Sequence, residues 1–557
     1  MAETTPVATE KKRRTHRRLV ERYVITGALR LTTPAHFGNG ETDSFTDMPL
    51  LKDELEPDKP LLPGSSIAGA LRSYLREYEA GYWRPLPDPI RNNSQAEKER
   101  FDREMAEERK LFAGQLFGDV RSDDGLGQSH LIVHDALGQA AGYELRDGVR
   151  IEPETRTAED EKKYDTTLLA AGSKFALRFD LLIGLPEGCT SDSDERFKDH
   201  RNQLLKSLAT ALNGLAAGEI TLGARKRRGF GRCRVTEWAV RRYNLLDQNE
   251  LLAWLAEGRT GWAEAVKPSP PADIKTALGV KELLQDNRRR LSLNAKFALD
   301  GSLLVRSGRP DEGPDMAHLQ SWRPAQNGKP EPRPIIAGTS WAGVLRSRAT
   351  QIAHTLATNG QTENATLQKQ QRVRVADLIE RVFGPADIRF GDRDIKASRI
   401  EVAETEVGDK GIKRLEQTRI KIDRFTGGAF ESALFSEEPL FGNQDSRLTL
   451  ELTLRLPDEG KSGERAEIGL LLLLLKDLWT GDLPIGGESA IGRGQLRGVE
   501  ATIKYNGRCW KLNQTDSGKI AALEAKLDAQ GNETSSEANR DELDSFVAAL
   551  VKELRNG

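Results

Sequence analysis

Apolar and polar residues alternate in four stretches of the chain, with the period of two that is typical of a strand with one buried face. The four stretches are residues 23–31, 175–183, 291–299 and 448–456. Leucines recur at helical spacing in residues 204–215 and stop at Gly218, and a second leucine-rich segment ends at Trp479. Both leucine-rich segments are predicted to be helices that bury one face.

One motif occurs twice in the chain. Seven of the ten positions that follow from Gly64 and from Gly338 are identical, and each copy predicts a glycine turn with hydroxyl residues at the start of a helix. Other glycines repeat at similar spacing: Gly64 precedes Gly338 by 274 residues, Gly118 precedes Gly384 by 266, and Gly231 precedes Gly494 by 263. Spacing that stays within a few residues across half a chain indicates an internal duplication.

Each half is expected to fold as strand, helix, insert, strand, helix and strand. The predicted fold class is therefore α+β, with two tandem ferredoxin-like (RRM-like) modules that carry inserted loops. The predicted divisions are a basic disordered arm at 1–19, a first module at 20–242, a linker at 243–288, a second module at 289–505 and a polar, helix-prone tail at 506–557. Residues 93–112 are predicted to be a charged helical insert, and residues 150–165 and 308–334 to be loops.

The charge and cysteine content restrict the kinds of partner. The net charge of −2 means that a polyanion would be held by local basic patches and not by the field of the whole protein. The three cysteines have no paired spacing, which argues against a zinc site or a disulfide framework and fits the cytoplasm. The longest aliphatic run, residues 470–475, is too short to cross a bilayer, so no membrane partner is expected.

A basic glycine-rich loop is the first candidate for binding chemistry. Five of the eight residues from 225 to 232 are basic, and glycines between them let the backbone approach a ligand closely. Such point charges and main-chain N–H groups suit a sugar–phosphate backbone better than base edges. A glycine turn with a solvated basic rim is the alternative. The second copy keeps Gly486, Gly492 and Gly494 but has only Arg493 and Arg497 as bases, so its hold on RNA should be weaker.

Acidic loops that precede the two helices are the second candidate. Asp47 and Asp315 occupy equivalent positions, 268 residues apart, and each is followed by a methionine. A carboxylate beside a phosphate site could hold a divalent cation or transfer a proton during phosphodiester cleavage. His36 and His318 lie in the same loops and could assist. The alternative is that both aspartates only cap turns.

Together these motifs resemble the RAMP superfamily, and more narrowly the backbone subunits of type III CRISPR effector complexes. The helix motif at residues 63–72 and the glycine loop at residues 223–231 are similar to those of the family. Residues 420–429 resemble the family's thumb, which wedges between nucleotides, and residues 150–157 resemble it less closely. The resemblance covers residues 20–240 and 290–500, and two fused copies are similar to type III-D-like systems.

The resemblance implies that each half binds a guide (CRISPR) RNA, with which a target RNA pairs. It further implies that loop aspartates cut the target beside a displaced nucleotide, which makes Asp47 and, less directly, Asp315 the expected catalytic residues and ligands for Mg²⁺ or Mn²⁺. Other RAMP subunits of the effector complex are the remaining implied partners. The residues expected to contact RNA are Ser65, Ser66, Arg72, Arg225, Lys226, Arg227, Arg228, Gly229, Gly231, Arg232, Thr339, Ser340, Arg346, Lys421, Arg424, Gly492 and Arg493.

Two other functions remain open from the sequence. The chain could be a non-catalytic structural RNA-binding subunit of the same complex. It could also be a RAMP endoribonuclease that processes guide RNA, a class that usually relies on a histidine and needs no metal. The chain has only seven histidines, and they form no repeated motif with tyrosine or lysine, which disfavours the processing enzyme.

Overall fold

A computed structural model gives the fold of most of the chain. It describes residues 18–38, 48–82, 84, 87, 94–118, 128–152, 155, 157–186, 188–189, 191–265, 273–307, 313–324, 330–358, 365–385, 397–457, 463–514, 520–527, 533–538 and 541–556. The predicted arm at residues 1–19 lies almost wholly outside the described residues, and so does Asp47.

The first module (residues 19–244) is an antiparallel sheet with helices packed on it. Its strands are Leu19–Leu31, Leu61–Leu62, Leu131–Val133, Ala136–Gln139, Tyr143–Ile151, Ala158–Leu169, Lys174–Gly184 and Cys233–Asn244. Its helices are Gly64–Ala80, Gln95–Lys110, Phe112–Phe117 and Glu195–Ala217, with a 3₁₀ turn at Lys226–Arg228. Leu19–Leu31 lies centrally between Lys174–Gly184 and Cys233–Asn244, which is the strand order of a ferredoxin-like fold.

The second module (residues 290–514) repeats this arrangement. Its central strand Arg290–Leu303 lies between Leu448–Arg455 and Gln495–Tyr505. The remaining strands to residue 514 are Met316–Ala317, Gln320–Pro324, Pro330–Ile336, Ile400–Val402, Thr405–Glu406, Ile412–Arg414, Gln417–Ile422, Ala429–Glu438, Leu440–Gly442 and Arg508–Gln514. The helices are Gly338–Thr358, Ala365–Phe383 and Glu464–Trp479, with a 3₁₀ turn at Ser489–Ile491. The α+β fold with two ferredoxin-like modules is confirmed.

Each module has its own apolar core, built from the faces that the alternation predicts. Leu448, Leu450, Leu452 and Leu454 are at most 4% exposed and pack with the leucines of Glu464–Trp479. In the first module, the helix Glu195–Ala217 buries its leucines against the sheet and ends at Gly218 in the left-handed conformation. A residue without a Cβ adopts that conformation without strain, so Gly218 ends the helix as the sequence predicts.

The chain between and after the modules also packs on them. Ile274, Leu278 and Leu284, within the predicted linker, are buried in the first core, while a helix precedes them at Gln248–Ala265. Beyond residue 505, the strands Arg508–Gln514, Ile520–Leu527 and Glu533–Ala538 extend the second sheet. The last helix, Asp541–Asn556, buries the predicted face of Phe546, Leu550 and Leu554 in the second core. Both segments are therefore parts of the modules, and not a plain linker and tail.

Two predicted loops contain regular structure instead. Residues 150–165 belong to a long β-hairpin formed by Tyr143–Ile151 and Ala158–Leu169, which we call the first hairpin. Residues 308–334 include the strands Gln320–Pro324 and Pro330–Ile336, which pair with each other. Charged and proline-rich sequence concealed these strands because their polar faces pack against other parts of the protein.

Candidate nucleic-acid interface

Two glycine loops have the same backbone in the two modules. The first glycine loop (residues 223–231) is closed by a hydrogen bond from Leu222 N to Gly231 O, 2.9 Å, and the second (residues 486–494) by Ile485 N to Gly494 O, also 2.9 Å. The 3₁₀ turn in each follows a non-glycine residue in the left-handed conformation, Arg225 or Glu488. The backbone of the loop is therefore duplicated, while its side chains are not.

The first glycine loop packs on the second module at the start of a helix. The Arg227 guanidinium donates to the Ser398 carbonyl oxygen. A Cβ on Gly338, the first residue of the helix Gly338–Thr358, would lie only 2.2 Å from the Arg228 carbonyl oxygen. A side chain larger than hydrogen cannot fit there, so this glycine permits the close approach of the two modules.

Two of the predicted RNA-binding arginines have partners within the protein. The Arg225 guanidinium stacks 4.4 Å from the centre of the Tyr164 ring and donates to the Tyr164 hydroxyl at 2.8 Å. Arg232 forms an ion pair with Glu451 of the second module at 2.9 Å. These contacts orient both guanidinium groups across the surface between the modules.

Arg228 differs from these residues because other cations surround it. Burial, followed by the charges of Arg346 and Arg227, lowers its pKa to about 10. Its Nη1 atom is buried and has no hydrogen-bond partner within the described part of the chain. A buried donor among like charges is unfavourable unless an anion binds beside it. This position is therefore the strongest candidate for a phosphate contact.

A cleft of about 780 Å³ lies in the first module, where several predicted elements meet. One wall is the start of the helix Gly64–Ala80, which contributes Ser65, Ser66 and Gly69. The opposite wall is the start of the first glycine loop, including Lys226. The third side includes Met48, the residue that follows Asp47 in the chain. The structure thus brings the helix motif, the basic loop and the neighbour of a predicted catalytic residue to one place.

We call the helices Gly64–Ala80 and Gly338–Thr358 the first and second Gly-Ser helices. Ser65, Ser66 and Thr339 are exposed, and Ser340 is half-buried, so these hydroxyls are accessible. The first N–H of the first helix, Gly64 N, already donates to the Asp135 carboxylate at 2.6 Å. That carboxylate occupies part of the positive helix end that the sequence assigned to a phosphate.

The arginine of the repeated motif holds the fold in both modules. Arg72 Nη2 donates to Gly118 O at 2.9 Å, and Arg346 Nη1 lies 3.5 Å from Pro385 O. Gly118 and Pro385 lie in the equivalent turns that end the inserted helices of the two modules. Each arginine therefore ties its Gly-Ser helix to this turn.

The comparisons with known proteins agree with this duplicated arrangement. The family model of the RAMP superfamily matches residues 28–234 and 321–497, which is more than half of the chain and includes both glycine loops. The chain belongs to the RAMP superfamily. No curated protein matches it in a sequence comparison. The superfamily is associated with the binding and processing of CRISPR RNA. Within the described residues, no helix is long and apolar enough to span a membrane.

The second glycine loop of this RAMP protein is neutralised internally. Arg493 is 3% exposed and forms ion pairs with Glu437 at 2.8 Å and Glu488 at 2.7 Å. The expectation that Arg493 contacts RNA is therefore wrong for this conformation, because its guanidinium is buried between carboxylates. Gly492 is exposed at the loop surface, where a Cβ would meet no other atom.

The two predicted catalytic aspartates have different standing. Asp47 lies outside the described residues. Asp315 is exposed, and its Oδ2 accepts a hydrogen bond of 2.9 Å from Ser436 N, while its own N–H donates to Ser436 Oγ at 3.1 Å. Asp315 thus fastens its loop to the strand Ala429–Glu438, the contact expected of a capping residue.

The described residues do not form a resident metal site. Among them, no group of three or more His, Cys, Asp or Glu side chains is placed to hold an ion. One carboxylate that already accepts a backbone hydrogen bond does not fit Mg²⁺ or Mn²⁺, which require several oxygen ligands. The side chains around Asp315 therefore do not fit a divalent cation by themselves.

The loop histidines support the fold. His318 is buried, accepts a hydrogen bond from Val305 N at 3.2 Å through Nδ1, and donates to Ile335 O at 3.1 Å through Nε2. Burial lowers its pKa to about 4, so the ring is neutral near pH 7. His36 is also buried, with Nδ1 2.9 Å from Thr167 O. These contacts leave His318 no role as a general acid or base at neutral pH.

Two β-hairpins present apolar side chains to solvent. The second hairpin, formed by Gln417–Ile422 and Ala429–Glu438, carries Phe425 fully exposed at its tip, beside the exposed Arg424. Lys421 lies 4.8 Å from the centre of the Phe430 ring. An exposed aromatic ring next to cations is suited to stacking on a nucleobase.

The first hairpin has an apolar outer face and a charged inner face. Leu145 is 60% exposed, whereas its neighbours Glu144 and Arg146 are buried against the second module. Arg146 Nη1 reaches Glu404 Oε2 at 3.2 Å, and Trp322 N donates to Glu144 Oε1 at 2.8 Å. Sequence analysis missed these residues because their partners are distant in the chain, and because a charged run is usually solvated. The alternation in residues 143–151 was the available signal.

Proposed function

We propose that the protein is a guide-RNA-binding backbone subunit of a cytoplasmic type III CRISPR ribonucleoprotein, of the type III-D-like kind with two fused RAMP modules. The observation that carries the proposal is the position of the first glycine loop between the two Gly-Ser helices. Lys226 lines the cleft beside Ser65 and Ser66, while the Arg228 carbonyl contacts Gly338 at the start of the second helix. A single RNA strand following this basic loop would pass both helix starts.

A glycine inside each Gly-Ser helix supports the same conclusion. Gly69 and Gly343 occupy equivalent helical positions, and a Cβ on either would meet no atom within 4 Å. A glycine inside a helix costs about 1 kcal/mol relative to alanine. Packing within the protein does not require these glycines, so we propose that they leave room for the RNA backbone to approach closely.

The exposed side chains favour recognition of phosphates and of stacked bases. The candidate phosphate contacts are Ser65, Ser66, Lys226, Arg228, Thr339 and Ser340. The second hairpin offers Phe425 to a base, with Lys421 and Arg424 beside it, and the first hairpin offers its apolar outer face. RNA held in this way is recognised by its shape and charge, and the guide sequence is left free to pair with a target.

We further propose that the protein cleaves the paired target RNA, with Asp47 as the leading catalytic residue and Asp315 as the second candidate. The carboxylate would take the proton from a 2′-hydroxyl while that oxygen attacks the adjacent phosphorus. The bond to the 5′ oxygen then breaks, and this oxygen takes up a proton. The products would carry a 2′,3′-cyclic phosphate and a 5′-hydroxyl. Displacement of a nucleotide by a hairpin would permit the in-line geometry that this attack requires.

A cleavage assay tests this assignment. The complex with guide RNA is mixed with complementary RNA, with and without Mg²⁺ or Mn²⁺, and Asp47→Ala, Asp315→Ala and the double variant are compared with the unaltered protein. Asp53→Ala is the matched control, because Asp53 is an aspartate of the neighbouring loop whose Oδ1 accepts from Leu55 N and Glu56 N. We expect loss of cutting in Asp47→Ala and retention of cutting in Asp53→Ala.

The contacts of Asp315 favour one alternative for the second module. Because Ser436 binds the Asp315 carboxylate, that module could bind RNA without cleaving it. Cutting at a single position, abolished by Asp47→Ala and unchanged in Asp315→Ala, would establish this division. Unchanged cutting in the double variant would remove both assignments and leave a structural RNA-binding subunit. Cleavage of the guide precursor by the chain alone would instead indicate a processing enzyme.

A further inference from the structure

The contact between the two modules inside the chain has a charge pattern that its exposed counterparts lack. The cationic turn Lys226–Arg228 lies beside an edge of the second module that carries Glu401, Glu404 and Glu406. Glu401 opposes the lowering of the Arg227 pKa, which burial and the charge of Arg455 cause. The intrachain contact therefore combines a cationic loop with an acidic edge.

The equivalent edge of the first module is apolar. Ile132 is the middle residue of the edge strand Leu131–Val133, as Glu401 is of Ile400–Val402. Leu137 pairs with Leu61, three residues before Gly64, and Glu406 pairs with Ile335, three residues before Gly338. Ile132 and Leu137 thus replace two of the three glutamates. They are 42% and 38% exposed, and together we call them the apolar edge.

The equivalent loop of the second module has also lost its cations. Residues 489–491 take the place of the turn Lys226–Arg228 on the same backbone, and their side chains are Ser, Ala and Ile. All three are exposed, with Ile491 at 57%. We call them the neutral loop. Charge has therefore been removed from both the loop and the edge that remain open at opposite ends of the molecule.

We propose that a second copy of this chain docks head to tail, with the neutral loop of one copy against the apolar edge of the next. The contact would repeat the placement of the first module on the second, with apolar burial in place of the ionic contact. A cationic loop on the apolar edge would leave its charges unpaired, so the swap also disfavours other registers. The two open surfaces differ, so the contact is heterologous, and association can continue beyond a dimer.

This arrangement adds a partner to the proposed function and rests on the geometry of the intrachain contact. It does not require cleavage. Self-association in the absence of RNA would separate the two ideas, because failure to bind RNA would overturn the proposed function and leave the head-to-tail contact in place.

Sedimentation velocity of the full chain over a range of concentrations tests the contact. The unaltered protein is expected to form dimers and longer species as the concentration rises. Ile491→Arg is expected to raise the dissociation constant by about 10- to 100-fold, the effect of losing one buried aliphatic side chain. Val373→Arg is the matched control, because Val373 is a 63% exposed aliphatic residue on the helix Ala365–Phe383. It should leave association unchanged.

A charge exchange between the two surfaces makes the test specific. Ala490 corresponds to Arg227, and Ile132 corresponds to Glu401. Ala490→Arg and Ile132→Glu are each expected to weaken association, and the double variant, which recreates the intrachain pair between two copies, is expected to restore it. Recovery in the double variant would also show that both single variants are folded.

Three results would overturn the proposal. The first is an unaltered protein that stays monomeric at every concentration, with and without guide RNA. The second is equal weakening by Val373→Arg and Ile491→Arg, or a double variant no better than its parents. The third is an Ile491→Arg variant that loses a different RAMP subunit from the purified complex while the chain itself never self-associates.

Discussion

Replacing Glu404 by alanine should uncouple the two modules. The Glu404 side chain is 0% exposed and lies between Arg146 and Arg323, whose side chains are 6% and 9% exposed. Burial alone would lower the pKa of Arg146, but the carboxylates of Glu404 and Glu144 outweigh it and raise the pKa. The variant would leave a cation buried without its main partner.

The structure sets the size of this effect. Removing one partner of a buried ion pair costs about 3–5 kcal/mol, because the other charge stays desolvated. Glu406→Ala is the matched control: Glu406 is a neighbouring glutamate, 48% exposed, and lies 3.9 Å from the same Arg323. An exposed pair of this kind contributes about 1 kcal/mol or less.

Scanning calorimetry and urea unfolding measure the difference. We expect Glu404→Ala to lower the free energy of unfolding by the larger amount and to separate the unfolding of the two modules into two transitions, since coupled domains unfold independently once their contact is lost. Glu404→Gln, which keeps the shape without the charge, should lie between. Equal stability and one shared transition in Glu404→Ala and Glu406→Ala would refute this account of the intermodule contact.

Three further predictions concern pH, salt and the helix glycine. The pKa of His318 in the folded state is about 4, below the unfolded value of 6.5, so stability is complete above pH 6.5 and falls by about 3 kcal/mol in total as the pH drops to 4; His318→Asn should flatten that part of the pH profile in urea titrations. Lys226→Ala and Arg228→Gln should each reduce the slope of log binding constant against log salt by about 1 in filter-binding assays with guide RNA, and unchanged slopes would indicate a solvated rim. Gly69→Ala should raise the free energy of unfolding by about 0.5–1 kcal/mol yet weaken guide binding, and equal or tighter binding would contradict a close approach of RNA to this helix.

The sequence by itself determined the two modules and most of their internal structure. Alternating apolar residues define the central strands, because one face of each strand must leave water. The repeated glycines define the turns, since positions such as Gly231 and Gly494 need positive φ and close backbone contact. These are local requirements, so a local pattern reveals them.

Only the tertiary structure decided which polar residues are available to a ligand. Arg225, Arg232 and Arg493 all read as phosphate contacts in the sequence, but tertiary contacts pair them with Tyr164, Glu451 and the Glu437–Glu488 pair. The same contacts leave Arg228 as the member of the basic turn with an unpartnered buried donor among the described residues. Whether a charge binds a ligand depends on neighbours that are distant in the chain.

The first hairpin shows the physical reason most clearly. The alternation of residues 143–151 predicts that Leu145 is buried and Arg146 exposed, and the structure has the reverse. Glu404, more than 250 residues away in the chain, supplies the charge that lets Arg146 leave water. A periodic pattern determines that a strand has two faces, but the partner that packs on the strand decides which face is buried.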